Sequence, residues 1–142
     1  MISKLSKSAL IAVLTLTVLA ALPQLMQAQE AATQAPAGRL NITWNINLSG
    51  PSFNGGVPVG AAEYEVEGSQ RKFSAEADNV NLSDGSNLGV YVAGKFVGSF
   101  VLNGGSGVLL LDTFVHQKVP VVTHGTTVSI YHGRTKILSG KF

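Results

Sequence analysis

The sequence predicts an antiparallel all-β domain of about eight short strands, and three observations support this prediction. Apolar and polar residues alternate with a period of two in several segments, as they do in half-buried strands. Clusters of glycine, proline, asparagine and serine separate these segments at short intervals, as turns do. After the N-terminal region, no segment shows the 3.6-residue apolar spacing of a helix.

The first 28 residues are predicted to be a helical signal peptide that is cleaved on export. Lys4 and Lys7 form a positive n-region, an apolar segment occupies positions 9–22, and residues 26–28 offer a cleavage site. The apolar segment is shorter than the ~20 residues that a membrane-spanning helix requires. We therefore expect no stable membrane span after cleavage, with an uncleaved N-terminal anchor as the alternative.

The rest of the chain divides into a short leader and one domain. Residues 29–38 are small and polar, which is typical of a flexible leader, although docking as an ordered extension is the alternative. Residues 39–142 are predicted to form a single domain, because a chain of this length buries a core of its own.

Charge and cysteine content limit the classes of partner and the compartment. Without the signal peptide the chain retains eight basic and eight acidic residues, so its net charge is near zero. Nucleic-acid binding requires a basic face, so no nucleic-acid partner is expected. The chain has no cysteine, which excludes disulfides and a lipidated N-terminal cysteine. We predict export to the bacterial periplasm, the cell surface or the medium.

The first half of the domain reads as one strand followed by a hairpin. Between positions 40 and 48, five apolar residues alternate with four polar residues. A loop rich in proline and glycine follows at 49–60. The segments 62–67 and 72–78 then alternate around a glycine turn, with glutamates and a lysine on the polar face.

The next segment, VYVAGKFVGSFVLNGGSGVLLLDT, predicts a hairpin that is apolar on both faces. A two-residue turn at Gly94-Lys95 suits the type II′ geometry, and the NGGSG turn leads into a strand at 108–111. One predicted face carries Leu88, Val90, Val92, Val97 and Val101. The other predicted face carries Tyr91, Phe96 and Phe100, with Gly89 and Gly98 beside the rings. Such a hairpin is either covered on both sides or offers one face to a partner.

The last hairpin pairs residues 126–131 with 134–142 around a turn at His132-Gly133, which sets Val128 opposite Ile137. Short strands at this spacing indicate a β-sandwich or a small barrel. We expect an antiparallel β-sandwich of the immunoglobulin-like, Greek-key type, because several strands are apolar on one face only.

Residues 88–142 carry a series of motifs that resembles a known type of domain. A V-x-V-x-G-x-x-V-G hairpin precedes a glycine turn, an L-x-L-D-T strand and a closing L-x-G-x-F. This series resembles an uncharacterised family of small exported bacterial all-β domains. The resemblance implies an exported β-domain, and it supplies no catalytic or binding residue because its motifs are glycine and core positions.

Three histidines and an aspartate are the weak candidates for a metal site. His116, His124 and His132 lie eight residues apart, and Asp112 precedes the first by four. Imidazole and carboxylate groups bind zinc or copper. No pair shows the close spacing of a dedicated ligand pair, so solvated loop histidines are the preferred interpretation. We expect no metal and no cofactor.

The sequence contains no recognisable catalytic motif. It has no G-x-S-x-G nucleophile elbow, and its glycine loops lack the lysine of a phosphate-binding loop. Glu63, Glu65 and Glu67 follow one exposed strand face, where glutamates are ordinarily solvated. We therefore predict no catalytic residue and a protein that is not an enzyme, with a small hydrolase of dispersed site as the least favoured class.

The predicted function is binding or assembly at the cell envelope or outside the cell. Tyr91, Phe96 and Phe100 form the only dense aromatic cluster, and they are the candidate interface with a protein or a glycan. The protein partner would be a second copy or an envelope protein. A carbohydrate- or metal-binding accessory module is the alternative.

Overall fold

The computed structural model describes residues 40–142, so the predicted signal peptide and leader lie outside the described residues. The described part contains eight strands and one short 3-10 turn at Thr113–Val115. The strands are β1 (Asn41–Ser49), β2 (Val59–Glu67), β3 (Gln70–Asp78), β4 (Asn87–Val92), β5 (Lys95–Val101), β6 (Gly107–Asp112), β7 (Thr127–His132) and β8 (Thr135–Lys141). The prediction of an all-β domain with about eight antiparallel strands is confirmed.

The eight strands form a single sheet in the order β5-β4-β7-β8-β1-β2-β3-β6. Every pairing is antiparallel, and β1 joins β8 through one bridging pair, Ser49 with Ser139. The edge strands β5 and β6 approach each other, so the sheet is nearly barrel-shaped.

The predicted two-layer sandwich is therefore not a clear description of the fold. Strands with one apolar face occur in both architectures, because a sheet that curls on itself hides the same face that a second sheet would cover. Strand patterning alone does not distinguish the two arrangements.

The inner face of the curled sheet holds the hydrophobic core. The largest fully buried side chains come from both ends of the strand order, and they include Leu48, Phe73, Leu88, Ile130, Ile137 and Leu138. Burial of one such side chain contributes about 1.5–3 kcal/mol. Within residues 40–142 no polar or charged side chain is buried. No helix in that range is long and apolar enough to cross a membrane.

The two edge strands meet through large side chains that lie over glycines. The ring of Phe100 on β5 covers Gly107 on β6, where an added Cβ would lie 2.5 Å from the ring carbon Cδ2. Leu109 on β6 covers Gly98 on β5 in the same way, with an added Cβ 3.0 Å from its methyl carbons. We call this contact the β5–β6 seam. The glycines leave the room that the two large side chains occupy.

The turn between β4 and β5 lies at Ala93-Gly94, so the predicted turn at Gly94-Lys95 is wrong by one residue. Both residues have positive φ, 50° for Ala93 and 75° for Gly94, which is the type I′ pattern. A bulge leaves Val97 without a partner, because Tyr91 pairs with Phe96 while Val90 pairs with Gly98. Because of this extra residue, the side chains of β5 that follow Val97 point to the opposite face of the sheet from the one predicted.

The register of the last hairpin also differs from the prediction. The turn lies one residue later than expected, at Gly133-Arg134. A bulge leaves Ile137 on β8 without a partner, because Tyr131 pairs with Lys136 while Ile130 pairs with Leu138. Val128 consequently lies opposite Gly140 rather than opposite Ile137. Bulges depend on packing against other strands, so the alternation within this hairpin does not reveal them.

The left-handed conformation of Ala93 yields a stability prediction. Asparagine visits this region far more readily than alanine, and Asn-Gly is a preferred type I′ pair. We expect Ala93→Asn to raise the free energy of unfolding by about 0.5–1 kcal/mol in urea denaturation. Ala93→Val is the matched change, and it should lower that free energy because a β-branched residue is strained at positive φ. Equal effects from the two variants would contradict the turn assignment.

Candidate functional site

Two of the three predicted interface residues lie together on the outer face of the sheet. Tyr91 on β4 pairs with Phe96 on β5, and their rings meet edge to face with centroids 5.5 Å apart. The two rings lie beside Gly89, as expected, where an added Cβ would be 3.3 Å from Tyr91 Cε2. Phe96 is 60 % exposed.

Phe100, the third predicted interface residue, belongs to the core. It lies opposite Leu88 on the inner face and is 6 % exposed. The unpaired residue Val97 is the reason, since it breaks the alternation between Phe96 and Phe100. Phe100 covers Gly107 in the β5–β6 seam, and Leu109 rather than an aromatic ring covers Gly98.

Tyr131 takes the third place in the aromatic cluster, and sequence reasoning missed it. Its ring meets the Tyr91 ring edge to face, with centroids 5.1 Å apart. The alternation of Val128 and Ile130 with Ser129 and Tyr131 put this tyrosine on an outer face. Its proximity to Tyr91, however, depends on the pairing of β4 with β7. We call Tyr91, Phe96 and Tyr131 the aromatic patch.

A shallow cavity and an apolar groove adjoin the aromatic patch. The cavity, of about 370 Å³, lies between two hairpin turns, and its lining includes Tyr91, Ser129, Tyr131 and Arg134. The groove, of about 430 Å³, separates Phe96 from the loop that carries Val121. Ring edges, a hydroxyl and a guanidinium can contact sugar rings, carboxylates or the side chains of a protein.

Charges are segregated between the two halves of the sheet. Strands β4, β5, β7 and β8, with their turns, contain no acidic residue and four cations: Lys95, Arg134, Lys136 and Lys141. We call these strands the basic half. Strands β1, β2, β3 and β6 form the acidic half, with six carboxylates against two cations: Glu63, Glu65, Glu67, Glu76, Asp78 and Asp112 against Arg71 and Lys72.

Partial burial and the neighbouring carboxylates raise the pKa of Glu63 above its ordinary value. Partial burial is the largest cause, followed by a hydrogen bond with Glu65 and by repulsion from Glu65 and Glu76. Lys72 acts in the opposite direction, and its Nζ lies 3.7 Å from Glu65 Oε2 in the one ion pair among residues 40–142.

The four candidate metal ligands do not form a site. His116 ends the 3-10 turn, whereas the His124 ring lies 5.8 Å from the Trp44 ring between centroids. His132 ends β7, and the Asp112 carboxylate accepts a hydrogen bond from the Phe114 N–H at 2.7 Å. Within the described part of the chain, no group of three or more acidic or histidine residues is arranged to hold a metal ion.

The different environments of two phenylalanines on β5 give a stability contrast. Phe100→Ala should lower the free energy of unfolding by about 3–5 kcal/mol, because it empties the β5–β6 seam. Phe96→Ala should lower it by less than about 1 kcal/mol, since that ring is largely solvated. Urea denaturation of the two variants measures both values. Similar losses would contradict the assignment of Phe96 to the surface.

The raised pKa of Glu63 predicts a pH-dependent effect on stability. The folded state binds the Glu63 proton more tightly than the unfolded state, so the free energy of unfolding falls as pH rises through the raised pKa. Glu63→Gln should therefore raise the melting temperature at neutral pH and leave it unchanged well below pH 4.5, the ordinary value. Glu67→Gln removes the same charge at the end of β2 and serves as the control. An increase that persists undiminished at acid pH would contradict this account.

No protein-family model, no curated protein and no solved structure matches the chain. The resemblance of residues 88–142 to small exported bacterial β-domains therefore stays a prediction. The candidate surface is defined by the aromatic patch and the cations of the basic half.

Proposed function

We propose that this protein is an exported, non-catalytic β-domain that acts by binding or assembly at the cell envelope or outside the cell. One observation carries the proposal: the aromatic patch, with Phe96 exposed and two half-buried tyrosines beside it, lies on the outer face of the half that bears only cations. Aromatic and arginine side chains are the types most enriched where proteins bind partners.

The N-terminal sequence supports export. The positive n-region, the apolar segment and the cleavage site follow the order of a secretory signal peptide. The absence of cysteine is compatible with export, because the buried apolar side chains stabilise the domain without disulfides.

The energetics of the surface favour a partner. Phe96 leaves most of its ring in water, and complete burial of such a side chain contributes about 1.5–3 kcal/mol. The two tyrosines of the aromatic patch are half-buried and held by mutual edge contacts. Little side-chain entropy is therefore lost when a partner covers them.

Substitution of the aromatic patch tests the proposal. Tyr91→Ser and Phe96→Ser should leave the fold intact and abolish binding or assembly, measured by light scattering of the exported protein over a wide concentration range. Val57→Ser is the matched control, because Val57 is 58 % exposed and lies outside the patch. Unchanged association in both patch variants would remove the patch as the interface.

A carbohydrate-binding module is the second candidate, and the cavity beside the patch favours it. Tyr91, Tyr131 and Arg134 line that cavity, and tyrosine with arginine is a combination suited to a sugar that carries a carboxylate. Affinity electrophoresis in polygalacturonate should then retard the protein, and Tyr131→Ala should abolish the retardation. Equal mobility with and without the polymer would count against this candidate. The metal-binding alternative would require a bound ion in elemental analysis of the purified protein.

A further inference from the structure

The outer face of the acidic half has an apolar centre surrounded by carboxylates. On β6, Val108 is 56 % and Leu110 is 62 % exposed. Val108 lies opposite Glu76 on β3. Leu110 pairs with Ser74 on β3, and Ser74 pairs in turn with Glu63 on β2. We call this surface the acidic face.

The outer face of the basic half has the complementary arrangement. Its apolar centre is the aromatic patch, and Lys136 on β8 lies directly opposite Tyr131 on β7. Arg134 occupies the adjoining turn and lines the cavity with Tyr131. We call this surface the basic face. Each face therefore combines exposed apolar groups with charges of one sign.

Most charges on the two faces have no partner of opposite sign within the described chain. The one ion pair in that range joins Lys72 to Glu65 and lies inside the acidic half. Arg134, Lys136 and Lys141 have no carboxylate within ion-pair distance among residues 40–142. Partial burial, together with repulsion from Glu65 and Glu76, raises the pKa of Glu63. A cationic partner on the acidic face would offset the part of this cost that comes from repulsion.

The strand order places the two faces on opposite sides of the molecule. The centre of the basic half lies at β4 and β7, and the centre of the acidic half lies at β2 and β3. In a sheet that curls until its edges meet, strands half a circuit apart lie across the core from each other. Their outer faces consequently point in opposite directions.

We propose that the protein assembles head to tail with copies of itself, the basic face of one copy docking on the acidic face of the next. The proposal rests on the proposed function, since it names the partner of the aromatic patch. Complementary charge and complementary apolar centres within one chain favour a second copy over an unrelated partner. Because the two faces point apart, the contact is heterologous and does not close in a dimer, so each added copy leaves both ends free.

Neutralising variants of the two faces test the assembly. One variant is Arg134→Gln with Lys136→Gln, and the other is Glu65→Gln with Glu76→Gln. Sedimentation velocity and light scattering of the exported protein should show a wild-type mass that rises with concentration without a plateau at two copies. The mass should fall when salt is raised from about 20 mM to about 500 mM. Each variant alone should associate at least about tenfold more weakly.

Mixing the two variants distinguishes head-to-tail contact from a symmetric dimer. Each variant keeps one intact face, so an equimolar mixture should form particles of two copies that do not grow further. A symmetric dimer through the basic face predicts that the Glu65/Glu76 variant still dimerises alone, and this result would overturn the proposal. Circular dichroism confirms that each variant keeps its fold.

A charge-matched control tests whether the change in net charge alone explains the effect of the basic-face variant. Arg71→Gln with Lys72→Gln changes the net charge as much as the basic-face variant, but on the acidic half. It should not weaken association. Wild-type protein that stays monomeric at every concentration overturns the assembly. A third result separates the two proposals. If Tyr91→Ser loses association while the Glu65/Glu76 variant associates like the wild type, the acidic face is not the partner of the aromatic patch, and the proposed function still holds.

Discussion

The β5–β6 seam is the contact on which the rest of the architecture depends. Phe100 and Leu109 each lie over a glycine of the opposite edge strand, so the two edges of one long sheet approach each other across side chains. Without this contact the sheet would present two open edges, which are liable to pair with other chains. With it, a single sheet encloses its own core, and the outer surface of that sheet consists of the acidic half and the basic half.

The bulges decide which side chains reach that outer surface. Val97 is the unpaired residue of β5, and its insertion turns Phe100 inward while Phe96 remains outward. A second bulge at Ile137 shifts the closing hairpin, so that Ile137 and Leu138 are both buried in consecutive positions. A bulge bends the strand that carries it and increases its twist, as a strongly curled sheet requires. The same two irregularities therefore shape the core and the candidate surface.

The outer surface is organised by charge as well as by shape. Carboxylates concentrate on β2 and β3, while the basic half carries its cations on β5, on β8 and in the turn between β7 and β8. A net charge near zero for residues 29–142 hides this separation, because the two halves cancel in the sum. Charge counted over a whole sequence therefore does not exclude a molecule that has two faces of opposite sign.

Local pattern by itself determined the class of fold, the approximate strand boundaries and most of the core, because alternation and turn residues act over a few positions. It also placed Tyr91 and Phe96 on the same face of one hairpin, although the turn that it predicted was wrong by one residue and did not pair them. Only the tertiary structure decided that the sheet curls instead of forming two layers, that Phe100 is buried and that Tyr131 joins the patch. The physical reason is that strand order and bulges are selected by packing between residues that are far apart in sequence. Phe100 contacts Gly107 across the β5–β6 seam, and Tyr91 contacts Tyr131 from a different hairpin.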